Sequence, residues 1–502
     1  MIIVLMVCLI CLSNKNVIAK SITDNQITSA IETEFLLNDS VNYNTIDVIT
    51  SDGIVTLSGS ADNILAKERA ETLAQSILGV RSIVNLIRVT PADKRTDQEI
   101  STDVQLALLD DPAADAYEIE VGVTDGVVTL KGTVDSWQER QLSETVAKGV
   151  KGVVKVNNKI DWEPKVKRPD FEIEKEVTQR LANDVLVDDN LISVKVKDGA
   201  VTLTGTVGSL SEKIRAHNDA YVGGVNSVAS DGLEIEWWAR DTMRRKSMYA
   251  KPEDSVITKA VEDAFVYDPR IFPYSSNIRV KLNKRTVTLS GVVEDLKAKR
   301  AAEEDARNTF GVWRVKNYLK VRPKKVPSNN ELEQRVKKAL VRNPCFETHD
   351  ISVSAFNGLV TLSGEVNTSF EKNQAELVAE GANGVVAVKN NVDYEYYWKW
   401  KPDWEIREDV RDQLFWSPFV DEDRINVSVN YGIVTLTGEV ETQGEYQDAE
   451  KNAYEGGAKH VRNNLTVVYD FFGPTYHPYY PNYLFFTQYR TRNYIPEPPM
   501  GY

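Results

Sequence analysis

The chain has 502 residues, 42% of them hydrophobic, and its 60 Lys and Arg against 74 Asp and Glu give a formal net charge of −14. That length and balance fit several ordinary globular domains, and the charge opposes general binding to nucleic acid or to anionic membranes. Of three cysteines, Cys8 and Cys11 lie in the first dozen residues, so a chain trimmed there keeps only Cys345 and has no intrachain disulfide framework.

The first predicted element is an apolar run, Ile2 to Leu12, followed by polar residues and Val17-Ile18-Ala19. Small residues before a break after Ala19 read as a signal peptide over 1–19, although the usual positive start is missing. The run is too short to span a bilayer. Cys8 after Leu5-Met6-Val7 is a poor lipoprotein site.

Next, Ile27, Ile31 and Phe35 fall at i, i+4 and i+8 and predict an amphipathic helix. Ile46-Asp47-Val48 alternates as a strand, and Asp52-Gly53 is a hairpin turn signal because both residues tolerate positive φ. Val55-Thr56-Leu57 returns as the second strand. A second helix runs through Leu65 to Ile77 and stops at Gly79-Val80, where glycine suits a helix C-terminus. A last strand, Ile83 to Val89, completes the order helix, strand, strand, helix, strand. Two helices over one face of a three-stranded sheet make a small two-layer α+β unit.

The same series then repeats. Gly53-Ile54-Val55-Thr56-Leu57-Ser58-Gly59 returns at Gly126–Gly132, Gly199–Gly205, Gly358–Gly364 and Gly432–Gly438. A sixth copy, Arg285 to Gly291, has Arg285 in the first glycine's place. Six copies make this a tandem array and not one large enzyme domain. In five copies the first apolar residue of the helix precedes the phrase by 26 residues, and in the fourth by 28. The extra length and the lost glycine together predict a longer, remodelled hairpin there. The expected modules are 24–90, 96–162, 170–236, 253–322, 328–394 and 403–469, with a linker at 237–252 and a Tyr/Pro-rich tail at 470–502.

The phrases advance by 73, 73, 86, 73 and 74 residues, and a longer period explains the uneven step. Gly53 to Arg285 and Gly126 to Gly358 are both 232, and Gly199 to Gly432 is 233. Linkers keep that register: Pro169-Asp170-Phe171-Glu172-Ile173 matches Pro402-Asp403-Trp404-Glu405-Ile406. A three-module block was therefore duplicated in tandem. The stretch from Trp237 to Pro252 joins the blocks and is the expected hinge.

The hairpin phrase, the Gly-Val before the last strand and an Asn within it (Asn85, Asn158, Asn317, Asn390, Asn463) resemble the BON domain family of bacterial periplasmic modules. Copy three departs, with Ser230 and Asp231 where Asn is expected. The resemblance covers nearly all of residues 24 to 469 and implies a periplasmic, non-enzymatic protein. It would bind phospholipid membrane surfaces or envelope proteins, in envelope or osmotic stress. An alternative is a scaffold or holdase that takes client strands on its sheet edges.

No chemistry stands out beside this. The glycine phrase lacks a Gly-Lys-Ser/Thr ending and runs into a strand, so it is no phosphate loop. Cys345, His349 and Asp350 lie close in sequence but offer no third convergent metal ligand beyond a loop reading. No cofactor, metal or small-molecule substrate is expected. Aromatic and basic residues gather in the joints instead. Trp237, Trp238, Arg244 and Arg245 mark the block junction, and Trp398, Lys399, Trp400 and Lys401 the joint before the sixth module. These types suit a bilayer headgroup region, and they equally suit glue between modules.

Overall fold

The computed structural model describes residues 22–38, 40–91, 94–111, 119–162, 168–236, 239, 252–346, 351–394, 400–417, 419–440 and 442–467. The expected signal peptide and tail lie outside these residues, as does all of the linker except Ala239 and Pro252.

The first module shows how the repeat folds. Its first helix, Asp24–Leu37, opens on a capping box at Thr23 with Gln26 and buries Ile27, Ile31 and Phe35. Strands Ile46–Ser51 and Ile54–Ala61 pair antiparallel, and Val55 and Leu57 of the phrase are wholly buried under the helices. Asn63 caps the second helix, Ile64–Gln75. That helix crosses over, so the last strand pairs parallel with the second strand, which is central. The last strand is split here into Ser82–Asn85 and Arg88–Val89.

The two phrase glycines do different work. Asp52 and Gly53 take φ +52° and +73°, the turn that two-residue hairpins favour. Gly59 has φ +106°, and a Cβ there would stand 2.1 Å from the Thr45 carbonyl oxygen. Its place is where the second strand crosses the short helical turn Tyr43–Thr45. The strand Asn also has a reason: Asn85 Nδ2 donates to Lys67 O and Glu71 Oε2, fastening the last strand to the second helix. In the third module, where Ser230 and Asp231 stand, the last strand carries a bulge between Ala229 and Gly232.

The expectation of a longer hairpin in the fourth module is wrong. Strands Ile278–Asn283 and Thr286–Val293 flank a two-residue turn like the others, with Lys284 and Arg285 at φ +46° and +61°. The extra length lies before the hairpin, in a six-residue helical turn, Phe272–Asn277, where the first module has three residues. Arg285 is 3% exposed, and its Nη2 donates to Pro252 O at 2.8 Å. The long side chain ties the hairpin to the segment entering the fourth module.

The modules do not form an open string. The first residue of the second helix acts as a key into another module. Ile64 of module one joins the core of module two. Trp137 of module two packs on the core of module three, and Leu210 of module three packs back on the core of module one. Head-to-tail contacts that return to their start close a ring. Leu296, the equivalent of Ile64, packs on the core of module five.

The two blocks also pack together. Arg342 Nη2 pairs with Asp110 Oδ2 at 2.8 Å. These residues are 232 apart, one duplication period, so equivalent positions meet as they do across a two-fold axis. Modules three and four join through Val185 N to Asn308 O at 3.1 Å and Phe310 N to Asn183 O at 2.7 Å. The matching seam joins modules six and one, where Trp416 packs on the core that holds Ile77 and Phe35. The two blocks are therefore packed against each other and not strung out in line.

Candidate functional site

The sixth module carries the most exposed aromatic ring of the described residues. Its first helix, Asp403–Trp416, starts after Pro402. The Asp403 carboxylate accepts from the backbone N–H of Tyr431 (to Oδ2) and of Gly432 (to Oδ1), both at 2.8 Å. The same tether joins Asp24 to Asp52 and Gly53, and Asp170 to Asp198 and Gly199. It fixes the helix N-terminus beside the hairpin tip in each case.

At that tip the modules differ. The left-handed residue is Asp52, Asp125, Asp198, Lys284 or Asn357 in five modules and Tyr431 in the sixth, at φ +51°. Asp and Asn tolerate this conformation far better than a bulky residue. Tyr431 is 86% exposed, so no packing offsets the strain. Trp404, next to the tethering Asp403, is 61% exposed, and Trp400 is 75% exposed. Three exposed aromatic side chains thus belong to this module, and Trp404 adjoins the Asp403 that tethers the Tyr431 turn.

Lys401 does not present a free charge there; its Nζ pairs with Asp409 Oδ2 at 2.6 Å, within its own module. Lys459 backbone N donates to Gly432 O at 2.8 Å, which brings a second lysine to the hairpin. Trp237, Trp238, Arg244, Arg245, Trp398 and Lys399 lie outside the described residues. Sequence reasoning missed Trp404 and Tyr431. The available signal was Tyr-Gly in the sixth phrase where four other copies have Asp-Gly or Asn-Gly.

Elsewhere the reactive residues are muted. Burial pushes the Cys345 thiol up to about 12, with Glu371 adding to the effect, so little thiolate forms at neutral pH. His349 and Asp350 lie outside the described residues. Among the described residues no three His, Cys, Asp or Glu side chains are placed to hold a metal ion. No helix of these residues is long and apolar enough to cross a membrane.

Comparison with known proteins agrees with the repeat. The BON domain pattern matches six times, at residues 23–91, 96–164, 169–236, 253–323, 328–396 and 402–469. The chain belongs to the BON domain family. Osmotically-inducible protein Y of Escherichia coli strain K12 is 30% identical over 152 residues, which is 29% of this BON chain and 76% of that protein. The outer membrane lipoprotein DolP of Haemophilus influenzae is 29% identical over 122 residues, covering 23% of this chain and 63% of the lipoprotein. A 21 kDa hemolysin of Actinobacillus pleuropneumoniae is 33% identical over 121 residues, covering 23% of this chain and 62% of its own. Each match is long enough for about two BON modules.

Proposed function

We propose that this protein is a non-enzymatic, periplasmic component of a bacterial cell envelope, that it binds phospholipid surfaces, and that it serves envelope maintenance under osmotic stress. The names of its relatives, an osmotically inducible protein and an outer membrane lipoprotein, support the setting. One structural observation carries the contact surface. Tyr431 is held strained and solvent-facing at a turn where Asp or Asn would sit at ease. Strain kept without packing reward marks a functional position. Together with the exposed Trp400 and Trp404 of the same module, Tyr431 supplies the ring types that settle at a bilayer headgroup layer. Weak contacts from several modules would add through avidity. The junction residues Trp237, Trp238, Arg244 and Arg245, and Trp398, Lys399 and Lys401, belong to the same proposal.

The test is flotation of the chain from Lys20 to Tyr502 with phosphatidylcholine vesicles, with and without phosphatidylglycerol, across a salt series. The parent should co-float, and the triple variant W400A/W404A/Y431N should lose most of that binding. Tyr431→Asn restores the ordinary turn residue, so the loss would not come from misfolding. Undiminished flotation of the variant would clear these rings of the role. Failure of the parent to float on any vesicle would move the function to protein clients held by the sheet edges.

A further inference from the structure

The two helices of a module cover one face of its sheet, and the other face carries the outward residues. In module four that face is unlike the rest. Its residues form rows across the three strands: Lys281, Thr288 and Lys316 in one, Arg279, Ser290 and Tyr318 in the next. Arg314 and Lys320 stand toward the two ends of the last strand, Arg314–Val321. All five cations are exposed, and Tyr318 is 63% exposed. No outward position of these three strands holds a carboxylate. Every other module has at least one there: Asp47, Glu120, Glu234, Glu365 and Glu439 in modules one, two, three, five and six.

Module one shows what changed after the duplication. At positions 232 apart, Asp47, Ile49, Ser82 and Val84 correspond to Arg279, Lys281, Arg314 and Lys316. Arg88 corresponds to Lys320, so a face with one Asp and one Arg has a counterpart with five cations. The module's core does not need them, because Val287 and Leu289 point the other way and are wholly buried. Nor does edge protection, since modules five and six have one cation, Lys389 or Arg462, in the place of Lys316. Like charges so placed repel. Outward neighbours on one strand are about 7 Å apart and the two outer strands about 10 Å, distances comparable with the screening length in physiological salt. None of the five side chains has an ion-pair partner among the described residues. In a chain of formal charge −14, a face that repels itself and is not neutralised from within calls for an anionic partner.

Its other residues narrow the kind of anion. The central strand lays a row of half-buried hydroxyls, Thr286, Thr288 and Ser290, between the two cationic strands. Hydroxyls both donate and accept, and so match the hydroxyls of a sugar. Arg279 and Arg314 offer planar forks that fit carboxylates. One ring, Tyr318, suffices to stack on the C–H face of one sugar, whereas a nucleic-acid strand is held by rings under successive bases. A bilayer contact would sink indoles and apolar side chains between headgroups, and Val292 is the only aliphatic residue pointing outward on these three strands.

We propose that the open sheet face of module four binds an extended acidic polysaccharide of the polyuronate type. Cations of the two outer strands hold its carboxylates, and hydroxyls of the central strand meet its own. This face belongs to a different module from Trp400, Trp404 and Tyr431, and its use does not require lipid binding.

The experiment is calorimetric titration of the chain from Lys20 to Tyr502 with alginate oligosaccharide in low salt. Saturable binding that weakens as salt rises is expected. The variant K281I/K316V carries module one's residues at these positions, which the same sheet accepts, and should weaken binding about tenfold. Arg314→Ser and Tyr318→Leu, again module one's residues, should each weaken it severalfold, and they carry the test if the double variant folds poorly. Lys389→Ala, on the face of module five, should change nothing, and neutral dextran should not compete. Absence of alginate binding overturns the proposal, and so does binding that the module-four variants leave intact. Equal displacement of alginate, charge for charge, by a single-stranded dT oligomer or by phosphatidylglycerol vesicles overturns it too, since the face would then read negative charge and not an acidic glycan.

Discussion

Tyr221 and Tyr454 are equivalent residues, 233 apart, yet one is 8% exposed and the other 47%. The difference comes from the neighbouring module. In the first block Trp137 stacks on Tyr221, with ring centroids 4.2 Å apart and planes within 6°. Trp162 and His217 meet the same ring edge-on. In the second block the position equivalent to Trp137 is Ser369, and the one equivalent to Leu210 is Gln443. Two of three apolar keys have become polar. The second block keeps Leu296 and an ion pair between its first two modules, Arg300 with Glu380 at 2.8 Å, where the first block has Glu68 with Lys148 and the charges reversed; it also ties Arg307 to Gln447 at 2.6 Å. Duplication thus preserved every module's fold while relaxing the contacts between modules. A module core is buried by its own helices, whereas a contact between modules needs only enough free energy to keep the ring closed.

The largest test of that contrast is truncation of the paired tyrosines. Tyr221→Ala should cost about 3 kcal/mol, in line with large-to-small changes at buried aromatic sites. Tyr454→Ala should cost less than about 1 kcal/mol, because an exposed ring leaves little cavity. Urea unfolding followed by tryptophan fluorescence measures both, and equal losses would show that the second block is as tightly closed as the first.

Smaller effects are expected at the keys. Leu210→Ala should cost about 1–2 kcal/mol, since this half-buried side chain touches the cores of modules one and three. Gln443→Ala should stay within about 0.5 kcal/mol. Hydrogen exchange of the first module's helices is the more direct readout. Leu210→Ala should speed exchange in module one, although the substitution lies in module three. If only module three responded, Leu210 would not bridge the two.

The smallest effect concerns pH and the seam between modules six and one. Burial, then Glu455, pushes the Glu34 carboxyl up to about 7, against a weaker lowering by Lys451 and Arg69 and a hydrogen bond to Gln413. The folded chain therefore binds this proton more tightly than the unfolded chain, whose carboxyl titrates near 4.5. Its contribution to stability is full below about pH 4.5 and is lost as pH rises through 7. Asp448, raised to about 6 mainly by burial, acts in the same direction near the contact of modules four and six. Raising pH from 6 to 8 should loosen these contacts, seen as lower protection factors, taken against the intrinsic exchange rate at each pH, in the helix Asp403–Trp416. Glu34→Gln should flatten that response. An unchanged slope in the variant would assign the pH effect to other groups.

Much of the module was legible because its determinants are local. The period of Ile27, Ile31 and Phe35, the Asp-Gly turn and the Gly-Val helix stop all act within a few residues. Even the duplication was legible, since register is preserved in sequence. The fourth hairpin was misread for an instructive reason. Two extra residues upstream of a phrase can enter the turn or the loop before the sheet, and spacing alone does not distinguish them. The buried contact of Arg285 with Pro252 O decides it, and that contact runs between segments 33 residues apart. At the exposed end of module six, Trp400 and Lys401 stand out in the sequence by composition, whereas Tyr431 is marked by its backbone conformation.

By itself, then, the sequence determined six αββαβ modules in two blocks of three, because hydrophobic period, turn chemistry and helix caps depend on near neighbours. Only the tertiary structure decided that the modules close head to tail and that the blocks fold together around Asp110 and Arg342. Contacts of that kind join residues tens to hundreds apart along the chain. Each is made by a single side chain on a surface whose partner has no fixed spacing, so no period or motif in the sequence announces it.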